Sequence, residues 1–225
     1  MQVYNKALSL SEVQALYGTL QTSHMAGHWA LDDGAGSVVT DTSGHGNDGT
    51  LEGDTAWGEG KSGTAVSFDG KYDYIHIPDT SGDLNIPGDL SISLWIKRTA
   101  STRGDEWFIR KDFAYGWKLS NSIPYFFIWT PHLTLVEPAP GTTIGADNEW
   151  HHLVAVYDTA GESVLIYIDG VLNTSHTVSG ELAQIQGPLI LGTDNDAGMI
   201  GMVDDVRIVN TALRAEEVHQ LYMDQ

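Results

Sequence analysis

Asp105 and Glu106 are adjacent acids near the middle of the chain. A pair of acids is the minimum equipment for cleaving a glycosidic bond. That chemistry needs two carboxyls facing one bond, about 5–5.5 Å or about 6.5–9.5 Å apart. Neighbouring residues on a strand point to opposite faces, so this pair does not qualify. His151-His152 is disqualified in the same way as a chelating pair. Gly44-His45-Gly46-Asn47-Asp48-Gly49 has the GxGxxG spacing of a dinucleotide cradle. That motif works only where a helix N-terminus receives the pyrophosphate, and Thr50-Leu51-Glu52-Gly53-Asp54 carries no helical stripe. No cysteine, GxSxG or HExxH is present. The chain therefore reads as a non-enzyme.

The glycine turn suits another use. Asp41, Ser43 and His45 stand at alternating positions, Gly46 is sixth and Glu52 twelfth. This echoes a helix-flanked calcium loop but lacks its helices and its run of acids. Calcium accepts backbone carbonyls beside a few side-chain oxygens, which a glycine-rich turn with Asp41, Ser43 and Asn47 can offer. The same three residues can equally cap the turn by bonding to backbone amides.

Residues 97–135 stand apart in charge. They hold six of the eleven bases against three acids, so they carry +3 while the remainder carries −22. Trp107, Tyr115, Trp117, Tyr125, Phe127 and Trp129 are interleaved with these bases. Residues 125–129 are apolar on both faces of a strand, Tyr125, Phe127 and Trp129 on one and Phe126 and Ile128 on the other. A sandwich strand needs one core face, so the second face must be covered or exposed as a sticky patch. Rings stack on sugars, and cations pair with carboxylate or sulfate groups. Trp107, Trp117, Tyr125 and Trp129 are therefore expected as stacking platforms, with Arg103, Arg110 and Lys111 as charge partners.

These residues need a scaffold, and the pattern is of short strands. Residues 91–97, 150–157, 164–168, 189–191 and 203–209 are strand candidates separated by Gly, Asp, Asn and Pro. Asp169-Gly170 is a tight hairpin signal. Without long alternating helices, this predicts an all-β fold, a two-sheet antiparallel sandwich with short peripheral helices. The net charge of −19 repels phosphate backbones, which excludes nucleic acid as a partner, and no apolar run is long enough to span a bilayer. No signal peptide is visible, so a secretion signal is expected upstream of this stretch.

One internal similarity sets the domain boundaries. Residues 3–17 and 208–222 agree at seven of fifteen positions: Asn5/Asn210, Ala7/Ala212, Leu8/Leu213, Glu12/Glu217, Val13/Val218, Leu16/Leu221 and Tyr17/Tyr222. Each copy reads as a short strand entering a helix, the second at about 214–222. Residues 1–25 are accordingly expected to be the tail of a preceding tandem repeat, and 26–225 one whole repeat.

Several segments, in order, resemble the laminin-G-like jelly-roll family, related to the concanavalin A-like lectins and glucanases. They are His28-Trp29-Ala30-Leu31-Asp32-Asp33-Gly34, the turn Asp41–Gly49, Phe68-Asp69-Gly70 with Asp73-Tyr74-Ile75, and Ile92–Ile96. Trp150–Asp158 and Gly201–Ile208, followed by Ala212-Leu213 and Glu217, complete the series. Residues 98–148 match no pattern of the family. The resemblance implies a jelly roll and makes His151 or His152 a buried core residue. It implies a structural calcium joining the Asp41 turn to Asp204, so Asp41, Ser43, Asn47 and Asp204 are the expected ligands. Family glucanases carry ExDxxE or ExDxE on one strand, and no such run exists here. The function expected is carbohydrate binding within a secreted, extracellular modular protein, for an anionic polysaccharide by the sign of 97–135. The rival is a structural or adhesive repeat without a small ligand. The expected partners are a glycan and neighbouring repeats of the same chain, with the module itself a monomer.

Overall fold

This computed structural model describes residues 24–101, 104–130, 133–136 and 141–224. The first part supplies β1 (Met25–Trp29), β2 (Val38–Val39), β3 (Gly49–Glu52), β4 (Ala56–Glu59), β5 (Thr64–Asp69), β6 (Tyr74–Ile77) and the long β7 (Leu90–Ala100). A meander follows, of β8 (Asp105–Lys111), β9 (Tyr115–Ser120), β10 (Ile123–Trp129) and β11 (Leu133–Val136). The last part holds β12 (Trp150–Asp158), β13 (Ser163–Ile168), β14 (Val171–Thr177), β15 (Leu189–Gly192), β16 (Ile200–Val209) and α1 (Ala215–Met223).

Two antiparallel sheets form. The first runs β14-β13-β12-β7-β16-β5-β4, with β1 also on β16, and the second runs β11-β10-β9-β8-β15-β6-β3-β2. The all-β jelly-roll sandwich read from the sequence is what the chain adopts, with α1 as its helix among the described residues. The first-copy helix expected within 3–17 and Arg103 lie outside the described residues. Asp169 and Gly170 both take positive φ, 50° and 75°, as a two-residue hairpin between β13 and β14 requires.

The inward faces of both sheets fuse into one core. Trp29, Ile92, Leu94, Leu153 and Ala155 of the first sheet meet Ile75, Phe108, Trp117, Phe126 and Ile128 of the second. β7 and β12 are buried on both faces, because α1 covers the outside of the first sheet. Val154, Val156, Tyr167 and Val209 pack there with Leu213, Val218 and Leu221.

The second sheet is built differently around β8. A bulge interrupts its pairing with β9 between Trp107 and Ile109. Strict alternation would put Trp107 and Arg110 on opposite faces. The extra residue sends Phe108 and Ile109 both inward, so Trp107 and Arg110 face outward together and Lys111 turns into the interior.

Candidate functional site

The outward face of the second sheet gathers the unusual residues of 97–135. On β10, Phe126 and Ile128 enter the core, while Tyr125, Phe127 and Trp129 look the other way. Phe127 lies opposite Gly116 of β9, where a Cβ would come within 2.7 Å of its ring. The glycine lets that ring lie down on the strand and meet Trp107 edge-on, with centroids 5.4 Å apart at 83°. Phe127 is thereby buried to 7% exposure, while Tyr125, Trp107 and Trp129 remain half-exposed. Trp129 meets Phe113 edge-on at 5.2 Å, and Phe113, in the turn after β8, is 58% exposed.

Two cations flank Trp107. Lys118 Nζ stands 5.3 Å from the ring centroid and Arg110 Cζ 5.9 Å. Neither charge is left over. Arg110 pairs with Asp194 and, at 3.5 Å, with Asp112. Lys118 holds Asp105 at 2.5 Å. Burial disfavours the Asp105 charge, but bonds from Lys118 and Ser120 outweigh it and hold the carboxyl below the usual range.

The expected ligand-binding set is therefore divided. Trp107, Arg110, Tyr125 and Trp129 share the outward face. Trp117 does not: it is wholly buried between Phe126 at 5.2 Å and Phe108 at 6.3 Å. Lys111 does not either, because the bulge turns it inward onto Asp79 at 2.7 Å and the Gly187 carbonyl at 2.6 Å. Phe127, Lys118 and Phe113 belong to the face and were missed. The alternation of 125–129 already groups Phe127 with Tyr125 and Trp129, whereas the contact of Lys118 with Trp107 depends on the register of β8 on β9.

The acids and histidines singled out earlier have structural partners. Glu106 is buried against Arg98 with bonds of 2.7 and 2.8 Å, on the opposite face from Asp105. His152 is the buried one of its pair, bonded through Nε2 to Ser93 Oγ at 2.8 Å, and burial lowers its pKa to about 4. His151 faces Asp169 at 3.0 Å and Asp147 at 3.5 Å. The Asp169 bond raises its pKa against burial, and Asp147 adds to the rise. A raised folded-state pKa gives stability that is full below the unfolded value and lost as pH rises through the folded one. Wild-type stability should thus fall as pH rises from about 6.5, the unfolded value, into the alkaline range, by an increment that His151→Asn does not lose. Parallel melting curves for the two proteins across that range would remove this linkage.

Asp41, Asn47 and Asp204 each hold hydrogen-bond partners within the protein. Asp41 Oδ1 accepts the amides of His28 and Ser43, and Oδ2 accepts that of Asn47, at 2.9–3.0 Å. Burial opposes its charge, yet the bonds from Ser43, His28 and Asn47 hold its pKa down. Asn47 is spent on the Ala26 carbonyl and Ser81. Asp204 accepts amides from Lys61, Ser62 and Asp205, and burial raises its pKa to about 6. The two carboxylates share no hydrogen-bond partner and lock two different turns. Among the described residues, no group of three or more His, Asp or Glu is placed to hold a metal.

The family profile described as the concanavalin A-like lectin/glucanases superfamily matches residues 69–219. The chain belongs to that superfamily. β1 and the Asp41 turn precede the matched stretch, but β1 pairs with β16 in the same sheet. Domain 4 of AbnA, an extracellular arabinanase of Geobacillus stearothermophilus solved with arabinotriose, superposes with a TM-score of 0.71 at 24% identity, covering 88% of this chain and 98% of that one. The binding domain of Paraclostridial Mosquitocidal Protein 1 gives a TM-score of 0.74 at 13% identity over 90% of this chain. The receptor binding domain of botulinum neurotoxin C/D mosaic serotype gives 0.73 at 18% over 91%. The chain spans 52% of each of these two toxin domains. At such identities these likenesses establish the shared fold. No curated protein matches the sequence.

Proposed function

We propose that this superfamily member is a non-catalytic glycan-binding domain of an extracellular protein, with its site on the outward face of the second sheet. The observation that carries this reading is the row of half-exposed rings, Trp107, Tyr125 and Trp129, on the face turned away from the core. An isolated exposed aromatic is ordinary, but a cluster held in fixed orientations by Gly116, Phe127 and Phe113 suits recognition. The neighbour solved with arabinotriose supports a sugar as the ligand class.

The charges favour a glycan bound by its faces over one bound by its charge. The sign of 97–135 suggested an anionic polysaccharide, but Arg98, Arg110, Lys111 and Lys118 are each matched by an acid. A ligand carboxylate would have to displace Asp194 from Arg110 or Asp105 from Lys118. Calorimetric titration with arabino-oligosaccharides and with a sulfated polysaccharide, at low and high salt, tests this. The neutral sugar should bind with affinity changing less than about threefold between roughly 0.05 and 0.5 M salt, since exposed ion pairs are what salt screens. Binding of only the sulfated polymer, lost at high salt, would restore the anionic reading. Absence of binding to either would favour the structural repeat, which the internal copy at 3–17 supports.

A further inference from the structure

The outer face of the first sheet carries a second group of rings and cations. Lys97 of β7 stands opposite Trp150 of β12 and Met202 of β16, and Trp95 stands opposite His152 and Asp204. Positions two apart on a strand share a face, so Trp95, Lys97, Trp150 and His152 lie together. α1 covers this face over Val154 and Val156, and Tyr222 near its end stacks on Trp95 at 5.6 Å. Beside Tyr222 the face opens into a cavity of about 420 Å³. Lys61, Trp95, Trp150 and Tyr222 line it, together with the exposed Glu149 and Met223.

Trp95 is only 2% exposed. His152 stacks on its ring at 4.9 Å, and Lys61 Nζ lies 4.7 Å from its centroid. Asp204 places Lys61 by accepting its backbone amide at 2.7 Å. The indole N–H of Trp95 is buried with no acceptor among the described residues. An indole nitrogen can only donate, and a buried donor left unmet is costly. Trp29 and Trp57 show the usual outcome, donating to the carbonyls of Asn47 and Gly36 at 2.8 and 2.9 Å. Trp117 is also unmet, but it lies within the closed core, whereas Trp95 lines an open cavity.

Lys97 supplies charge beside the cavity. Its Nζ lies 5.0 Å from the Trp150 ring centroid, and among the described residues no acid pairs with it. Arg110 and Lys118 on the second sheet differ, since each is held by an acid. The indole N–H of Trp95 and the ammonium groups of Lys61 and Lys97 are all donors. They call for a ligand with several acceptor oxygens and a negative charge, and the ring walls call for a body of ring size. A sugar acid meets both demands better than a carboxylate on an apolar chain.

We propose that this cavity is a second ligand site, on the sheet opposite the candidate glycan face, and that it takes a uronic acid residue of a glycan. Lys97 pairs with the carboxylate, Trp95 donates its indole hydrogen to a sugar oxygen, and Trp150 and Tyr222 flank the ring. Two faces of different charge character would let one domain hold a neutral and an acidic glycan at once.

Titration of isotopically labelled protein with trigalacturonate tests this, read at the indole N–H resonances of the seven tryptophans and assigned with Trp→Phe variants. The Trp95 and Trp150 resonances should move while that of Trp107 stays, and arabinotriose should leave Trp95 in place. By calorimetry, Lys97→Met should weaken trigalacturonate binding by about tenfold or more, and Lys97→Arg by less than about threefold. Lys97→Met should leave the response to arabinotriose as in the wild type, with melting curves confirming that both variants fold. The proposal is overturned if trigalacturonate moves no indole resonance, or moves Trp107 in place of Trp95. Unchanged trigalacturonate affinity in Lys97→Met would overturn it as well. Because the readout is Trp95, the result does not depend on whether the second sheet binds arabinotriose.

Discussion

Glu106→Ala is expected to destabilise the sandwich by about 3–5 kcal/mol, roughly 10–15 °C in melting temperature for a domain of this size. Arg98 and Glu106 are both buried, and the guanidinium bonds the carboxylate through Nε and Nη2 at 2.7–3.1 Å. The remaining Arg98 nitrogen reaches Ser122 Oγ and the Ile144 carbonyl, which ties β7 to the β9–β10 turn and the loop before β12. Removing the carboxylate strands a cation that cannot reach water, and that cost exceeds the net worth of the pair. The double variant Arg98→Met, Glu106→Leu removes both charges and should recover most of the loss. Denaturant unfolding of the three proteins decides it. A loss below about 1 kcal/mol in Glu106→Ala would mean that water reaches Arg98.

Such pairs explain where the sequence was legible and where it was not. Sheet membership followed from hydrophobic alternation and turn residues, so β7, β12, β13 and the Asp169-Gly170 hairpin were readable. Facing within β8 was not. A bulge leaves no mark in Trp107-Phe108-Ile109-Arg110-Lys111, yet it decides that Arg110 is outside and Lys111 inside. Charge partners were equally hidden, because Asp79 and Asp194 lie 32 and 84 residues from Lys111 and Arg110. A local excess of bases looked like an anion site only while those partners were out of view. Trp117 was misplaced for another reason: β9 carries its rings on one face and β10 on both, and composition does not say which face meets the core. Asp41, Ser43 and Asn47 show the reverse case, where the capping alternative was already on the page and the backbone amides at Asp41 satisfy it.

Trp107→Ala is expected to weaken binding of a neutral oligosaccharide by about 30-fold or more, equivalent to about 2 kcal/mol. Trp107 is the residue on which the rest of the face converges. Phe127 supports its edge, and Lys118 and Arg110 lie within 6 Å of its ring centroid. Binding hot spots are enriched in tryptophan held by neighbours that exclude water, and an indole pre-set by its surroundings loses little freedom on contact. The residue is half-exposed at a bulge, so the fold should lose far less than it does with Glu106→Ala. Lys118→Met separates platform from charge: it removes the cation over the ring and frees Asp105, yet leaves the indole in place. If rings carry recognition, Lys118→Met should keep affinity within about fivefold while Trp107→Ala does not. Titration of both variants alongside the wild type, with melting curves to confirm that each is folded, gives the comparison. Equal affinities for wild type and a folded Trp107→Ala protein would move the glycan site off this sheet.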